Sequence, residues 1–430
     1  MTTLEQNRYG ALGRRDLVIW VIGAIVLAVV PLIFRTGLGI TMLSQMGIAI
    51  VACLSYNMLL GQGGMLSFGH AVYTGLGSYM SIHAMKAIAG GFPLPMSLIP
   101  LVGGLSGIFF AVLLGFITTK KAGTTFAMIT LGLGELVVAM SLMVPEFFGG
   151  EAGINANRTA GQAFMGITYG PQIQVYYLLA IYTFVCTALM YAFTRTPLGR
   201  MLNAVRDNPE RVEFIGYNTQ RVRYFSFIIA GLFAGIAGGM YALNFEIATG
   251  EVVGAFRSGA YLFFTFLGGA TFFFGPIIGA VLMVLAFVLL SEITKAWNLY
   301  FGLVFMFMVM FAPGGIAGII MTNVRVAAYG KLSRLVGWYA LLGVTGLVAF
   351  FGLAAIIEMI YHLQLEGAGG SELKFVGLTL DTNQVSSWIG AVVVLVVGGL
   401  AFEVVRRRYA RVWGDVQGEI AAIIRGRETA

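Results

Sequence analysis

Charged residues are scarce in this 430-residue chain: they make up 10% of it, whereas hydrophobic residues make up 58%. A soluble domain carries about 25% charged residues, so this sequence could not cover a surface that faces water. The composition excludes a soluble globular protein and predicts one that spans a membrane many times. The net charge of +7 does not by itself indicate nucleic-acid binding, because its meaning depends on where the charges lie.

Cysteine and histidine are scarce as well. Cys53 and Cys186 lie within apolar runs, so we interpret both as small core residues rather than as a disulfide or metal ligands. The three histidines do not cluster with acids at the spacing of metal ligands, and no metal site is expected. The sequence also has no GxxxxGKS/T phosphate loop. Any ATP and Mg²⁺ that drive this protein are therefore expected to be bound by another chain.

Long apolar runs predict an all-α polytopic membrane protein with twelve spans, about ten in a core and two more near the C-terminus. The expected spans are residues 17–34, 38–60, 66–86, 96–118, 123–144, 173–193, 223–243, 258–274, 276–291, 299–320, 336–360 and 388–405. Lys and Arg divide 20 to 6 between alternate loops when the N-terminus is placed in the cytoplasm. Because cytoplasmic loops carry the excess of positive charge, we expect both termini in the cytoplasm.

Glycine interrupts two of these apolar segments. The stretches LLGQGGMLSFGHA at 59–71 and LGGATFFFGPIIGA at 267–280 each place a Gly pair before a Phe-Gly pair. Paired interruptions in the two halves of a transporter point to its pathway, although glycines also simply permit close helix packing. The residues expected to line or shape a pathway are Gly61, Gln62, Gly63, Gly64, Ser67, Phe68, Gly69, His70, Gly268, Gly269, Gly275 and Pro276.

Glu135 lies near the middle of the fifth expected span. An ionisable group at that depth is expected to face the interior of the bundle or a cavity. Three roles stay open: lining a substrate path, a structural role at a broken helix, or relaying a proton.

The loop 195–222 is expected to lie in the cytoplasm. Thr196-Pro197 and Asn208-Pro209 each combine an N-cap oxygen with a proline at the first helical position, and Gly216 is placed to end the second helix. Two short amphipathic helices in a cytoplasmic loop would form a docking site for a partner protein. The alternative is a connector that lies on the membrane surface.

Seven motifs resemble one transporter family when they are taken together in chain order. They are LLGQGGMLSFGHA, TLGLGE, FGGEAGI, TPLGRMLNAVRDN, EFIGYN, LGGATFFFGPIIGA and APGGIAG. The chain is similar to the permeases of branched-chain amino acid ABC importers, and most similar to the LivM-type subunit, over residues 17–320. The resemblance implies a non-catalytic membrane subunit that provides an alternating-access pathway through the bilayer of a bacterial inner membrane.

The resemblance also implies partners: a second homologous permease, two cytoplasmic ATPases that hydrolyse ATP, and a periplasmic solute-binding protein. The loops of the binding-protein side would include Gly149, Gly150 and Gly153. The residues that match the family's ATPase-coupling segment are Arg200, Met201, Ala204, Val205, Arg206, Asp207, Asn208, Pro209 and Gly216.

The resemblance leaves two questions open. It predicts a cytoplasmic N-terminus (1–16) and a permease domain (17–320), but does not account for the C-terminal extension (321–430) and its two spans. Leucine, isoleucine or valine is the expected substrate, with urea, an amide, another amino acid or a carboxylate as alternatives. A self-contained secondary transporter is the competing class; a membrane-embedded enzyme would need converging acids and histidines that the sequence does not offer.

Overall fold

The computed structural model of the protein describes residues 14–161, 168–365, 371–375 and 378–428. The chain divides into two compact units. The core unit comprises Met1–Val288 and Pro313–Ala317, and the C-terminal unit comprises Leu289–Ala312 and Gly318–Ala430. Each unit has its own packing and is described by itself.

The core unit is built from helices joined by short connections. In chain order they are α1 (Arg14–Ile33), α2 (Gly37–Gly63), α3 (Ala71–Ala89), α4 (Ile99–Thr118), α5 (Gly123–Met143), α6 (Pro145–Phe148), α7 (Gln172–Arg195), α8 (Pro197–Asp207), α9 (Pro209–Phe214), α10 (Thr219–Phe245), α11 (Ala255–Gly268) and α12 (Gly275–Leu285). Short 3₁₀ turns occupy Met96–Leu98, Gly150–Ala152 and Gly250–Val253, and two strands, β1 (Ile154–Asn155) and β2 (Ile247–Ala248), pair antiparallel.

Helix α10 is the most deeply buried of the candidate spans. Its glycines at 231, 235 and 239 face the glycines of α4, because a methyl group on Gly103, Gly107 or Gly235 would collide with a backbone carbonyl of the other helix. Small residues at such an interface let two backbones approach closely, which is how helices associate in a membrane. This contact places α3 and α4 around α10 at the centre of the core unit.

Fewer segments qualify as spans than the sequence predicts. Among the described residues, eight helices are long and apolar enough to cross a membrane, or nine if one bent pair counts as a single span. Helix α11 has 14 residues and ends at Gly268 instead of running to 274, and the apolar part of α1, Leu17–Ile33, is also short. The all-α polytopic class is confirmed, while the count of twelve spans stays a prediction.

The C-terminal unit contains the bent pair. Its helices are α13 (Ser291–Ile293), α14 (Trp297–Phe311), α15 (Gly315–Ala328, which begins in the core unit), α16 (Ser333–Leu365) and α17 (Val385–Glu428), and a hairpin of β3 (Glu372–Phe375) and β4 (Leu378–Asp381) joins the last two. Helices α14 and α15 bend by 43° at the Pro-Gly break, which the expected span 299–320 treated as continuous. Pro313 and the positive φ of Gly315 explain the interruption.

Three clusters of buried hydrophobic residues lie among the described residues of the C-terminal unit, and one of them includes the start of α14. Ala296 and Tyr300 pack against Ala354 and Ile357 of α16, and Glu358 accepts hydrogen bonds from Thr294 Oγ1 and Tyr300 Oη. Residues 289–312 therefore pack with the C-terminal helices, although the expected permease domain extends to residue 320. That expected boundary stays a prediction.

Candidate translocation site and docking surfaces

The first glycine interruption is a real break in the helix. Helix α2 ends at Gly63, and Gly64 takes the left-handed conformation with φ of 62°. The Gly64 and Met65 amides cap the helix by donating to the carbonyls of Leu60 and Leu59. The next helix begins only at Ala71, so the chain crosses the interior of the core unit without a continuous helix between these points.

Three neighbouring helices hold the segment between the two ends. The Phe68 amide donates to Thr130 Oγ1 of α5 at 3.1 Å, and the Ala71 amide donates to Ser258 Oγ of α11 at 3.0 Å. His70 Nε2 lies 2.9 Å from Ser55 Oγ of α2, and its ring is fully buried. The amides of Gly64, Met65, Phe68 and Ala71 are thus bonded within the protein, as a break inside a bilayer requires.

Gly69 is the point of closest approach in this segment. A methyl group added there would collide with the carbonyl oxygen of Thr130, and it would lie 3.6 Å from the amide nitrogen of Gly134 on the same helix. Only a residue without a side chain fits between the segment and α5.

The second interruption meets the first. Helix α11 ends at Gly268, Gly269 has φ of 114°, and α12 begins at Gly275 with Pro276 in its first turn. A methyl group on Gly61 would collide with the carbonyl of Ala270, which belongs to this second break. The paired breaks that the sequence predicts are therefore neighbours in space.

A third break joins them. A methyl group on Gly269 would lie 2.5 Å from the carbonyl oxygen of Gly314, and one on Gly315 would lie equally close to Gly269. APGGIAG is one of the seven family motifs, but it is not among the residues expected to line the pathway. The Pro-Gly-Gly run was the signal that could have revealed it.

Helix α8 is bonded directly to the first break. Asn203 Nδ2 donates to Gln62 Oε1 at 2.8 Å, and the Arg206 guanidinium donates to the carbonyl of Gly61. The side chain of Leu202 packs against Gly63, and that of Arg206 against Gly64. A displacement of α8 would therefore be transmitted to residues 61–64 without any intervening residue.

The caps of α8 and α9 are those that the sequence predicts. The Thr196 hydroxyl accepts from the Gly199 amide at 3.2 Å, and the Asn208 side chain accepts from the Arg211 amide at 2.9 Å. Gly216 follows the second helix with φ of 89°. We call α8 and α9 the coupling helices, by their position in the loop 195–222.

The remaining expected coupling residues divide between the two faces of these helices. Arg200, Asp207 and Pro209 are exposed, and Met201 and Ala204 are partly buried. Val205 is buried and packs inward together with Leu202, and its expected part in ATPase coupling stays a prediction. Asp207 pairs with Arg206 at 2.9 Å.

The sequence reasoning missed an apolar patch at the end of the coupling helices. Phe214 is 89% exposed, Ile215 63% and Tyr217 51%. We call these three residues the apolar tip. Exposed aromatic residues grouped in this manner mark an interaction surface, but in the sequence an isolated Phe looks like a core residue.

Glu135 does not face the interior of this chain's own helix bundle, which is one of the two positions expected for it, while a position facing a cavity stays a prediction. It is exposed on the outer face of α5, next to Leu136, which is also exposed. The inner face of that helix carries Thr130 and Gly134, which contact Phe68 and Gly69 of the 64–70 segment. Because Glu135 follows Gly134 by one position, the helix turns it about 100° away from this face.

The opposite end of the core unit carries the expected binding-protein loops. Gly149, Gly150 and Gly153 all have positive φ, at 78°, 64° and 70°. A methyl group on Gly153 would collide with the carbonyl of Ala248, next to the pairing of β1 with β2. Residues 162–167 of the expected loop 145–172, and residues 1–13 of the expected N-terminal segment, lie outside the described residues.

Arg158 fixes this loop to the end of α10. Its amide donates to Glu246 Oε1 at 2.7 Å, and its guanidinium donates to the carbonyls of Tyr169 at 2.8 Å and Asn244 at 3.1 Å. Glu246 has φ of 60°, a conformation that non-glycine residues seldom adopt. The result is an ordered platform with a shallow cleft lined by Asn155, Ala156, Asn157, Phe245, Glu246 and Ile247.

Within the described residues, no three His, Cys, Asp or Glu side chains are grouped so that they could hold a metal ion. The features that the core unit offers are thus three interlocked backbone breaks, a pair of coupling helices bonded to one of them, and a platform at the other end.

Comparison with known proteins gives these features a family. The family model described as the branched-chain amino acid transport system permease component matches residues 38–313. The match covers more than half of the chain, includes the first two breaks and the coupling helices, and ends at residue 313, where the third break begins. The chain belongs to this permease family.

Individual relatives agree with a LivM-type permease. The chain is similar to the high-affinity branched-chain amino acid transport system permease protein LivM of Escherichia coli (strain K12), with 26% identity over 290 residues, 63% of this chain and 67% of the relative. LivM of Salmonella typhimurium is 27% identical over the same shares. The guanosine ABC transporter permease protein NupQ of Bacillus subtilis is 31% identical over 121 residues, 25% of this chain and 38% of the relative. No solved structure matches this chain.

Proposed function

We propose that this chain is a permease subunit of an ATP-driven importer for branched-chain amino acids in a bacterial inner membrane. In this proposal the coupling helices receive the motion of two cytoplasmic ATPases, which bind ATP and Mg²⁺, and the chain performs no catalysis itself. The observation that carries the proposal is the direct bonding of α8 to the break at 61–64. That bonding links a docking surface to a backbone interruption within the membrane.

The proposed mechanism follows from the rigidity of these links. Asn208 joins the two coupling helices, as the C-cap of α8 and the N-cap of α9, so a push on the apolar tip would shift α8 and with it the carbonyl of Gly61. Because Gly61 packs on Ala270 and Gly269 packs on Gly314, the shift reaches the second and third breaks. Packed interfaces change between discrete arrangements instead of deforming continuously, which suits a pathway that opens alternately to each side.

Glu135 supports the pairing with a second, homologous permease. An ionisable side chain near the middle of a span is costly when it faces lipid, yet this one is exposed on the surface of the single chain. A second protein that covers α5 would remove that cost. We therefore place the pathway between α5 and the partner permease, with Glu135 at its wall.

The platform at the other end is proposed to receive the periplasmic solute-binding protein. The backbone at 149–153 and the Arg158 contacts hold it in one conformation, and a preformed surface binds at a smaller entropic cost.

The alternative is an importer of the same type for another small solute. NupQ is a guanosine transporter permease, and it matches part of this chain. Urea, amides and carboxylates are further candidates from the sequence. A self-contained secondary transporter is less well supported, because an exposed apolar tip on the coupling helices has no purpose without a partner.

Purification of the native assembly followed by reconstitution into liposomes tests the proposal. We expect two ATPases and a second permease to co-purify in fixed stoichiometry, and ATP to drive leucine uptake once the binding protein is added. Uptake of guanosine or urea in place of leucine would support the alternative substrate. Uptake without ATP by the chain alone would overturn the importer assignment.

A further inference from the structure

The core unit contains a cavity of about 150 Å³ at the end opposite the coupling helices. Four helices meet around it: the first halves of α2 and α11, the last turn of α10, and the end of α12 with the residues that follow it. Most of its wall is apolar. The apolar lining consists of Ile48, Ala49, Phe245, Met283, Val284 and Phe287.

Four side chains with polar atoms also line this cavity, those of Gln45, Arg257, Tyr241 and Tyr261. The Arg257 guanidinium carbon lies 5.3 Å from the centroid of the Tyr241 ring, in a cation–π contact. Within the described part of the chain, Arg257 makes no ion pair, and the Gln45 amide makes no side-chain hydrogen bond. The cavity therefore presents an amide without a side-chain hydrogen bond and a cation that no carboxylate neutralises among the described residues, although Tyr261 interacts electrostatically with that cation.

The electrostatics favour an anion at this position. A partly buried cation in surroundings of low polarity is stabilised by an opposite charge, and the planar guanidinium binds carboxylates through two parallel hydrogen bonds. Contact with Tyr241 holds the guanidinium in place without satisfying its N–H donors. A long basic side chain that extends its charged end into water requires no binding cavity, whereas Arg257 lies beside an amide and an apolar cavity.

We propose that this cavity binds a small carboxylate with a compact apolar tail. The carboxylate would accept hydrogen bonds from Arg257 and Gln45, and the tail would lie against Ile48, Met283 and Val284. This inference goes beyond the proposed function, which assigns no solute site to these helices. It relies on the proposed orientation only in placing the cavity toward the external face.

The size of the cavity limits the ligand. An apolar cavity of about 150 Å³ accommodates a molecule of about six carbon atoms, which fits a branched acid of five or six carbons. An anionic lipid headgroup offers the same kind of charge to Arg257. The free acid and the lipid would occupy the apolar wall differently. The acid would place its own tail against the wall, whereas the lipid would place there an acyl chain that remains anchored in the bilayer.

The test is equilibrium binding of 4-methylpentanoate to the purified assembly in phosphatidylcholine nanodiscs, without ATP and without binding protein. This probe has the carboxylate and the branched tail, whereas leucinamide has the tail without the carboxylate. Phosphatidylglycerol added to the nanodiscs supplies the competing headgroup. Because the stoichiometry of the assembly is measured on the same sample, a failure of the cavity proposal is distinguishable from a failure of the importer assignment.

We expect saturable binding of 4-methylpentanoate, no competition by leucinamide, and a Kd at least about tenfold higher in Arg257→Gln, since hydrogen bonds to charged groups are lost. Gln45→Leu and the cavity-filling Ala49→Leu should also weaken binding, which keeps the test valid if Arg257→Gln fails to fold. Lys86→Gln removes an exposed cation from the end of α3 and should leave the Kd unchanged. Equal binding by the wild-type protein and all three cavity variants, or displacement of the probe by phosphatidylglycerol, would overturn the proposal.

Discussion

Single glycines determine how closely the helices of the core unit approach each other. Gly61, Gly69 and Gly269 each lie against a backbone carbonyl of another element, where any added carbon would collide. Other glycines, such as Gly132, have open space around them. Glycine count alone therefore does not distinguish a close approach from a tolerated small residue, and the two kinds respond differently to substitution.

Gly69→Val should abolish transport or assembly, because the Thr130 carbonyl cannot move away without breaking α5. The matched control is Gly23→Val on α1, where an added carbon meets nothing. Uptake by reconstituted vesicles and the yield of the assembled complex measure the difference. Equal yield and uptake for both variants would mean that the closeness of Gly69 to α5 has no functional importance.

Arg206 and Asp207 are both expected to take part in coupling, but the structure gives them different contacts. Arg206→Ala removes the bond to Gly61, so it should raise ATP hydrolysis that is not matched by transport, while the protein stays folded. Asp207→Ala should have a smaller effect, because its ion pair is exposed to solvent and such pairs contribute little. The ratio of solute transported to ATP hydrolysed is the measurement, with Arg206→Lys as the variant that keeps the charge. An unchanged ratio in Arg206→Ala would contradict the link between α8 and the first break.

Local signals made the coupling helices predictable. Thr196-Pro197 and Asn208-Pro209 fix the starts of α8 and α9 through contacts within three residues, so the sequence alone contains them. The early end of α11 is different, because Gly269 is held by Gly314, 45 positions later in the chain. Neither that contact nor the exposure of Phe214 has a local sequence signature.

Phe214→Ala should weaken the association with the ATPases by at least about tenfold and leave insertion of the permease intact. Its side chain is almost fully exposed, and aromatic anchors of this kind dominate the energy of an interface once they are buried by a partner. Phe225→Ala, which removes another exposed aromatic ring from α10, serves as the control. Co-purification at increasing salt and detergent concentrations measures the loss. Normal recovery of the ATPases with Phe214→Ala would exclude the apolar tip as their docking surface.

The end of α17, beyond the expected span 388–405, is held by charge as well as by packing. Val416 and Ile420 pack on Val326 and Leu335. Nearby, Glu419 accepts hydrogen bonds from Lys331 at 2.6 Å and from Arg334 at 2.9 Å. These contacts, that with Lys331 first, lower the pKa of the Glu419 carboxyl.

A carboxyl whose pKa is lower in the folded state adds stability that is present above its unfolded pKa of about 4.3 and is lost as the pH falls through the folded value. Hydrogen exchange of residues 409–424 should therefore accelerate only below that pH in the wild-type protein. In Glu419→Gln it should already be faster at neutral pH. Asp415→Asn, an exposed residue of the same helix, is the control and should not change the exchange. Slow exchange in Glu419→Gln at neutral pH would show that packing alone holds this segment.

The packing of the whole molecule explains why Glu135 does not face the interior of its own chain. A carboxylate at mid-span must be covered or hydrated, and sequence reasoning assigned that cover to the same chain. The interior face of α5 is already filled by the 64–70 segment, so the cover has to come from outside. The sequence predicts from one residue that the carboxylate must be covered or hydrated. Only the packing of all helices shows which face of α5 is left for another protein to cover.

Glu135→Cys tests this conclusion directly. Cys53 and Cys186 are buried, so position 135 becomes the accessible thiol, and a maleimide-benzophenone attached to it reacts with whatever lies within reach. We expect a photo-adduct with the second permease in the native assembly. Leu105→Cys, on the exposed face of α4, is the comparison and should give mainly lipid adducts. If the labelled Glu135→Cys variant also yields only lipid adducts, the pathway does not lie between α5 and a second permease, and the carboxylate would have to be stabilised by water at the lipid boundary.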